Sequence, residues 1–247
     1  MKNKIIVITG GNGAVAKEAA KRFSEIGSTI YIIVRNNIDE ASEFIKSLPN
    51  QELNHRAFLS SITDTNALRS VVQEIKNISG RCDLLINSAG ITKSLDNEDL
   101  NSYTDEIIDE ILINNVRGTF SVIREFTPLL LNGEESLIIN ITSASNRRAS
   151  QSNIIYGASK SALELITRSL SRTLAPKIRV VSVCPGMLET PTSGGYKPEG
   201  TNERIAKQIP LGRVGKASDV VATIEALATS LKYVNGSSIL LDGGRLA

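Results

Sequence analysis

Seven short apolar runs, KIIVIT, TIYIIV, HRAFLSS, CDLLINS, SLIINITS, IRVVSVC and SSILLD, recur along the chain, separated by longer stretches in which apolar residues return every three to four positions. Short runs rich in Ile and Val read as strands, whereas the three-to-four spacing reads as helices with one buried stripe. From Ala14 to Ile26 the stripe is Val15, Ala19, Phe23 and Ile26, and Gly27 supplies the stop. Further helices are expected at about 38–48, 64–78, 104–131, 154–174 and 218–230. Thr63-Asp64 and Ser218-Asp219 offer side-chain oxygens for the free amides of a first turn. Strands alternating with helices predict an α/β fold in which parallel strands are joined by right-handed crossovers.

Composition narrows the class. A chain of 247 residues, 41% of them hydrophobic, buries a substantial core, and α/β chains of this size commonly form a single domain, here 1–247. The 28 basic and 26 acidic residues leave a net charge of +2 with no long basic block, so there is no electrostatic case for nucleic acid, and a small or modestly charged partner is expected. No segment approaches the roughly 18 consecutive apolar residues of a membrane span. The apolar run after MKNK is too short for a secretory signal, and a soluble, cytoplasmic protein is expected. Cys82 and Cys184 have neither CxxC spacing nor a clustered histidine, so they read as reduced strand residues, and no metal is expected. One long stretch, PGMLETPTSGGYKPEGTNER from 185 to 204, lacks periodic signal; it reads as a substrate-side loop over about 185–210.

Candidate chemistry sits at the ends of the apolar runs. After the first comes TGGNGAVA, in which Gly11 to Ala16 satisfy a relaxed GxGxxA phosphate-loop pattern: glycines for the turn and for backbone approach, then a small residue where helix meets strand. Amides at the start of the following helix would receive phosphates. A glycine-rich strand-to-helix turn also exists for geometry alone. The second run ends in IIVRNN, so Arg35 stands where an acid would bond a ribose 2′-hydroxyl. An arginine there favours a 2′-phosphate, hence NADP(H) over a still possible NAD(H), unless it is an ordinary solvated side chain. Farther on, Tyr156 and Lys160 are four apart on one face of an expected helix, and Ser143 approaches them if the connecting loop folds back. Arg147 and Arg148 follow Ser143 closely enough to bind an acidic substrate group, or are solvated charges. His55, the single histidine, has no visible partner network and is read as an ordinary surface residue.

Taken in order, TGGNGAVA, NSAG at 87–90, NNVRG at 114–118, Ser143 with YGASK at 156–160, PGMLET at 185–190 and LDGG at 241–244 resemble the short-chain dehydrogenase/reductase family in its branch of about 250 residues, across essentially the whole chain. IPLGRVGKASDVV at 209–221 is similar to the C-terminal half of 3-oxoacyl-carrier-protein reductases. The resemblance implies a Rossmann-like doubly wound parallel sheet of seven strands in the order 3-2-1-4-5-6-7. It also implies an oxidoreductase that moves a hydride between a nicotinamide and a carbonyl or secondary alcohol. Tyr156 would be the proton donor, Lys160 would favour its phenolate and bond the nicotinamide ribose, Ser143 would bond the substrate oxygen, and Asn115 would hold a relay water. Gly10, Gly11, Asn12, Gly13 and Val15 would receive the pyrophosphate, with Ser61, Ile62, Asn87, Ala89 and Gly90 toward the adenosine. Pro185, Gly186, Leu188 and Thr190 would meet the carboxamide and phosphates. Asn87 also reads as a strand-terminating hydrogen bonder, and Pro185-Gly186 as a plain turn.

The chain departs from the family pattern at Ala14 and Ala16, which stand at glycine positions of TGxxxGxG, at Ser61 in place of an aspartate, and at Val181 in place of an asparagine. Gly10 and Gly13 fit TGxxGxxG instead. A homodimer or homotetramer joined through the helices at 104–131 and 154–174 is implied. The competing readings are a nucleotide-sugar epimerase or dehydratase, whose larger C-terminal substrate domain is absent, and a cofactor-binding scaffold without turnover, which would need no joint Asn115, Ser143, Tyr156 and Lys160.

Overall fold

Alternate residues of β1 (Ile5–Thr9) enter different cores: Ile6 and Ile8 pack on one side of the sheet and Val7 on the other. A strand buried on both faces needs apolar residues at every position, which is why these runs do not alternate with polar ones. The same holds for β2 (Thr29–Val34), where Ile30 and Ile32 join one core while Tyr31 and Ile33 join the other. The remaining strands are β3 (Arg56–Leu59), β4 (Leu84–Asn87), β5 (Ser136–Ile141), β6 (Ile178–Pro185) and β7 (Ser238–Leu241). All pair in parallel in the order β3-β2-β1-β4-β5-β6-β7, as expected from the sequence. The structure, a computed structural model, describes residues 1–147, 153–189 and 200–246.

Helices cover both faces. On one lie α1 (Ala14–Glu25), α2 (Ile38–Lys46) and α8 (Ala217–Thr229), contributing Phe23, Ile45 and Ile224. On the other lie α3 (Thr65–Ser79), α5 (Thr119–Leu131) and α6 (Ile154–Thr173), contributing Leu68, Phe126 and Leu170. Gly27 follows α1 at φ +85°, the left-handed stop read from the sequence. Asp64 caps α3 by accepting from the amides of Asn66 and Ala67, both at 3.0 Å. At α8 the acidic residue sits one turn inside: Asp219 accepts from the amide of Lys216, the residue before the helix, at 2.8 Å. Val181, at one of the departures, is a fully buried β6 residue of the first core.

Four expectations change. The single helix at 104–131 is α4 (Asp105–Leu112), a π turn at Ile113–Gly118 and then α5. A π turn carries an extra residue per turn, which rotates Asn115 and Gly118 into the protein. A short helix, α7 (Thr201–Ala206), begins within the 185–204 stretch; Thr190 lies outside the described residues. Cys82 precedes β4 rather than lying in it, although both cysteines are buried and free. His55 is not a surface residue. It is buried, accepting from the Ile30 amide through Nδ1 (3.0 Å), so that Nε2 is left to donate to the Pro49 carbonyl (2.9 Å).

Among the described residues no helix is long and apolar enough to cross a membrane, and no group of three His, Cys, Asp or Glu is placed to hold a metal. The strand order reverses between β1 and β4, and the crevice outside the carboxyl ends of the strands at such a switch point is where ligands bind in open α/β sheets.

Candidate active site

Three recesses run together along those carboxyl ends. The first, about 400 Å³, is lined by the Gly10–Gly13 loop, Arg35, Asn36, Ser60, Ile62 and Ala89. It shares Gly13, Ser88, Gly90 and Ile91 with a second of about 220 Å³, which adds Ala14, Val15, Tyr156, Lys160 and Leu188. Tyr156 and Leu188 lead into a third of about 390 Å³, closed by Ser143, Pro185, Gly186 and the C-terminal Asp242, Arg245 and Leu246. The order of the recesses places the loop at one end, Tyr156 in the middle and a separate chamber beyond it.

The loop follows from sterics. Gly10 has φ +70°, and a Cβ there would stand 2.9 Å from the Ala89 backbone. A Cβ on Gly11 would stand 2.7 Å from the Ile32 side chain. Both positions exclude any larger residue. Gly13 is ordinary at φ −74° and opens α1, while Ala16 is fully buried where that helix meets the sheet. The Thr9 hydroxyl accepts from the Ala89 amide (3.2 Å) and ties the loop to the NSAG segment. Asn12 donates to the Asn36 carbonyl at 3.3 Å, bridging the loop to the end of β2, while its buried Oδ1 has no partner. That orphaned acceptor, on a residue lining the first recess, fits a ligand that brings donors such as ribose hydroxyls.

Two expected cofactor residues are directed elsewhere. Asn87 donates to Asn140 (2.9 Å), which donates to Thr167 (2.9 Å), a buried chain beneath the groove. The Ser61 hydroxyl pairs with Thr63 (2.8 Å), and the recess is lined by Ser60 and Ile62 instead.

Tyr156 and Lys160 share a face of α6, whose first turn is fixed by Asn153: its Oδ1 accepts from the Tyr156 amide at 3.0 Å. Ser143, two residues beyond β5, lines the same recess as Tyr156 and donates its hydroxyl to Ser145 Oγ (3.0 Å), so the two segments do come together as the sequence reading required. Burial dominates the Tyr156 phenol and pushes it above the usual tyrosine value, with the nearby Ser143 hydroxyl pulling the other way. Lys160 Nζ donates to the Ile141 carbonyl (3.0 Å) and lies 5.6 Å from the Tyr156 ring centre. Burial lowers the Lys160 ammonium to about 8.

Asn115, fully buried on the π turn, accepts from the Ile91 amide (2.8 Å) and donates to the Ile91 carbonyl (2.9 Å) and Ser159 (3.0 Å). Gly90 is the cradle between these groups: a Cβ there would stand 3.2 Å from Lys160 Nζ and 3.3 Å from Asn115 Oδ1. Leu188 is pinned by a parallel bridge to Gly215, which explains the proximity of the PGMLE and GRVGK segments. Arg147 pairs with Glu164 at 3.5 Å, and Arg148 lies outside the described residues.

The model of the family described as enoyl-(acyl carrier protein) reductase matches residues 11–245. The chain belongs to the short-chain dehydrogenase/reductase family. Among its curated relatives, the 3-oxoacyl-[acyl-carrier-protein] reductase of Thermotoga maritima is 30% identical over 99% of this chain and 98% of its own. Among solved structures, a short-chain dehydrogenase/reductase of Brucella melitensis, titled a glucose/ribitol dehydrogenase, is 27% identical with a TM-score of 0.88 over 99% of this chain and 97% of its own. An NADP active-site complex of RhlG from Pseudomonas aeruginosa is 25% identical with a TM-score of 0.88, over 100% and 98%. This short-chain dehydrogenase/reductase is an oxidoreductase acting on CH–OH groups, a ketone reductase of the 3-oxoacyl-reductase kind that uses a nicotinamide cofactor.

Thr9, Asn153 and Ser159 were missed by sequence reasoning. Thr9 opens the loop motif, and Asn153 stands three residues before the amide it caps, so each carried a local signal. Asp242 stands in the LDGG motif, but Arg245 and Leu246 carried no signal, because only the fold returns the chain end to the chamber.

Proposed function

We propose that the enzyme reduces a 3-oxoacyl thioester or a comparable ketone with NADPH, with Tyr156 as the proton donor. The observation that carries this reading is the convergence of Ser143, Tyr156 and Lys160 at the junction of the loop end and the chamber. When bound, the nicotinamide supplies the hydride. A phenol held above its usual range stays protonated at neutral pH, the form a general acid needs. Ser143 and Tyr156 then offer two hydroxyl donors to one carbonyl oxygen as negative charge develops on it. Lys160, beside the cradle at Gly90, bonds the nicotinamide ribose and favours release of the phenolic proton. Asn115 holds Ile91 in place, and its Oδ1 retains one lone pair for a water passing protons from Lys160 to solvent. Gly10, Gly11, Asn12, Gly13 and Val15 receive the pyrophosphate, and Ala89, Gly90 and Ile62 line the adenosine end. Pro185, Gly186 and Leu188 would attend the carboxamide.

Arg35 and Asn36 border the first recess, next to the Asn12 bridge, where a 2′-phosphate would lie. That position supports NADP(H) over NAD(H). A homodimer or homotetramer is supported by apolar side chains left exposed on the outer faces of the π turn, α5 and α6: Ile113, Phe120 and Leu131 on one, Ile154 and Leu165 on the other. Sedimentation velocity checks this, and a monomer refutes it.

One experiment tests the chemistry. NADPH and NADH are titrated by fluorescence, and acetoacetyl-CoA and crotonyl-CoA are compared as substrates for wild type and Tyr156→Phe. Turnover of acetoacetyl-CoA should fall about 10²–10⁴-fold in the variant, with NADPH affinity retained. Persistent turnover would refute the donor assignment, equal affinities the NADP preference, and exclusive turnover of crotonyl-CoA the ketone reading.

A further inference from the structure

Tyr156, Lys160 and Glu164 are spaced by four along α6, and so share one face of that helix. The first two border the groove. Glu164 lies behind it, only 9% exposed, and a buried carboxylate is costly unless partners compensate it. Its partners come from two other elements. The Cys184 thiol, next to Pro185 at the end of β6, donates to Oε1 at 2.8 Å. Arg147 Nη2, on the turn that begins at Ser143, stands 3.5 Å from the same Oε1. Thr142, one residue before Ser143, donates its hydroxyl to the Cys184 sulfur at 2.8 Å, closing the link from β5 to β6.

We propose that Glu164 is a positioning residue: it clamps the Ser143 turn and the end of β6 to the helix that carries Tyr156, and so holds the Ser143 hydroxyl beside the phenol. The inference rests on the assignment of Ser143 and Tyr156 above. A well-packed apolar side chain at this position is often no less stable than a buried ion pair, so stability alone gives little reason for a carboxylate here. Geometry gives one, since displacement of an aligned donor by about 1 Å costs on the order of 10²-fold in rate.

The test is a double-mutant cycle on the full-length enzyme, with acetoacetyl-CoA and NADPH as the assay. Glu164→Ala should lower kcat on the order of 10²-fold while KM and the NADPH dissociation constant stay within about threefold. Glu164→Gln keeps an acceptor for Cys184 but loses the charge facing Arg147, and should fall between Glu164→Ala and wild type. Combined with Ser143→Ala, Glu164→Ala should add little further loss, because both changes remove the same aligned hydroxyl. Fully multiplicative losses, a kcat within threefold of wild type, or parallel decline of kcat, NADPH affinity and melting temperature would each overturn the proposal. Full activity in Ser143→Ala would remove the assignment and the clamp with it, whereas an impaired Ser143→Ala with multiplicative losses removes the clamp alone. If Glu164→Ala does not fold, Glu164→Gln and Arg147→Gln carry the same cycle with the same outcomes.

Discussion

The two ends of the groove are built from different materials. At the loop end the shape comes from backbone: Gly10 and Gly11 leave no room for a Cβ, and one bridge from Asn12 to the Asn36 carbonyl joins loop to strand. Around Tyr156 it comes from side chains, with Lys160, Asn115, Asn153, Ser159 and Glu164 each bonded to a group on another segment. A backbone cradle depends on the absence of atoms and tolerates varied neighbours. A side-chain network depends on every partner at once, and buried polar networks lose heavily when one member goes. Substitutions at the catalytic end should therefore cost turnover, and those at the loop end should cost cofactor affinity.

Lys160→Met gives the largest contrast. Turnover should fall by 10² or more, because the cation beside the phenol is lost. Stability should move the opposite way. The ordinary lysine value is 10.5 and burial lowers Lys160 to about 8, so the folded state disfavours the proton that the unfolded chain keeps. Below about pH 8 the full cost of burying the charge is present; between about 8 and 10.5 the unfolded chain binds the extra proton, and stability rises with pH as that cost is relieved. Lys160→Met should thus be more stable than wild type at pH 7, by on the order of 1–3 kcal/mol, with the gain fading as pH approaches 10.5. In wild type, kcat/KM for reduction should decline as pH rises through about 8. Melting curves from pH 6 to 10, together with a rate profile, read both effects; a variant less stable at pH 7 would break the burial argument.

Arg35→Ser, at the loop end, should leave kcat near wild type and weaken NADPH by about 10- to 100-fold, the loss expected for a charge-assisted hydrogen bond. NADH affinity should hardly change. An equal loss for both cofactors would place Arg35 outside 2′-phosphate recognition.

These two kinds of construction also explain what could be read in the sequence. Seven strands and most helix limits were legible because doubly buried strands and striped helices write their period locally, whereas the strand order came with the family resemblance. The glycine loop was legible for the same reason: Gly10 and Gly11 are identities that local geometry forces. The resemblance supplied Ser143, and the structure brings it to the same recess as Tyr156, a meeting that no spacing rule describes. The Cys184–Glu164 contact and the Asn87–Asn140–Thr167 chain join residues 20 to 53 apart, and nothing local marks either end as a partner. The π turn was hidden because its residues fit a continuous helical stripe, yet it sets the inward direction of Asn115.

Gly10→Ala and Gly13→Ala separate the two glycines of the loop. A methyl at Gly10 combines a left-handed backbone with a 2.9 Å approach to Ala89, so it should destabilise the fold by roughly 1–3 kcal/mol. At Gly13 the backbone is ordinary and the nearest atom is the Gly10 carbonyl at 3.2 Å, so the melting temperature should stay within a few degrees while NADPH binding weakens. A large stability loss at Gly13 would show that the loop shape, rather than clearance for phosphate, selects that glycine.

The smallest effect on function is expected at a buried polar group in the cofactor half that faces neither the groove nor the loop. His55→Ala leaves the Ile30 amide and the Pro49 carbonyl without their partner, inside a segment that joins α2 to β3. Stranding such groups costs about 1–3 kcal/mol, which for a domain of this size lowers the melting temperature by roughly 2–12 °C. Neither kcat nor NADPH affinity should move by more than about twofold, since the fold is cooperative at equilibrium but the groove is set at the other ends of the strands. A drop in NADPH affinity that tracks the melting temperature would mean that β2 is held in register by His55 and that Arg35, at its far end, inherits its place from that bond.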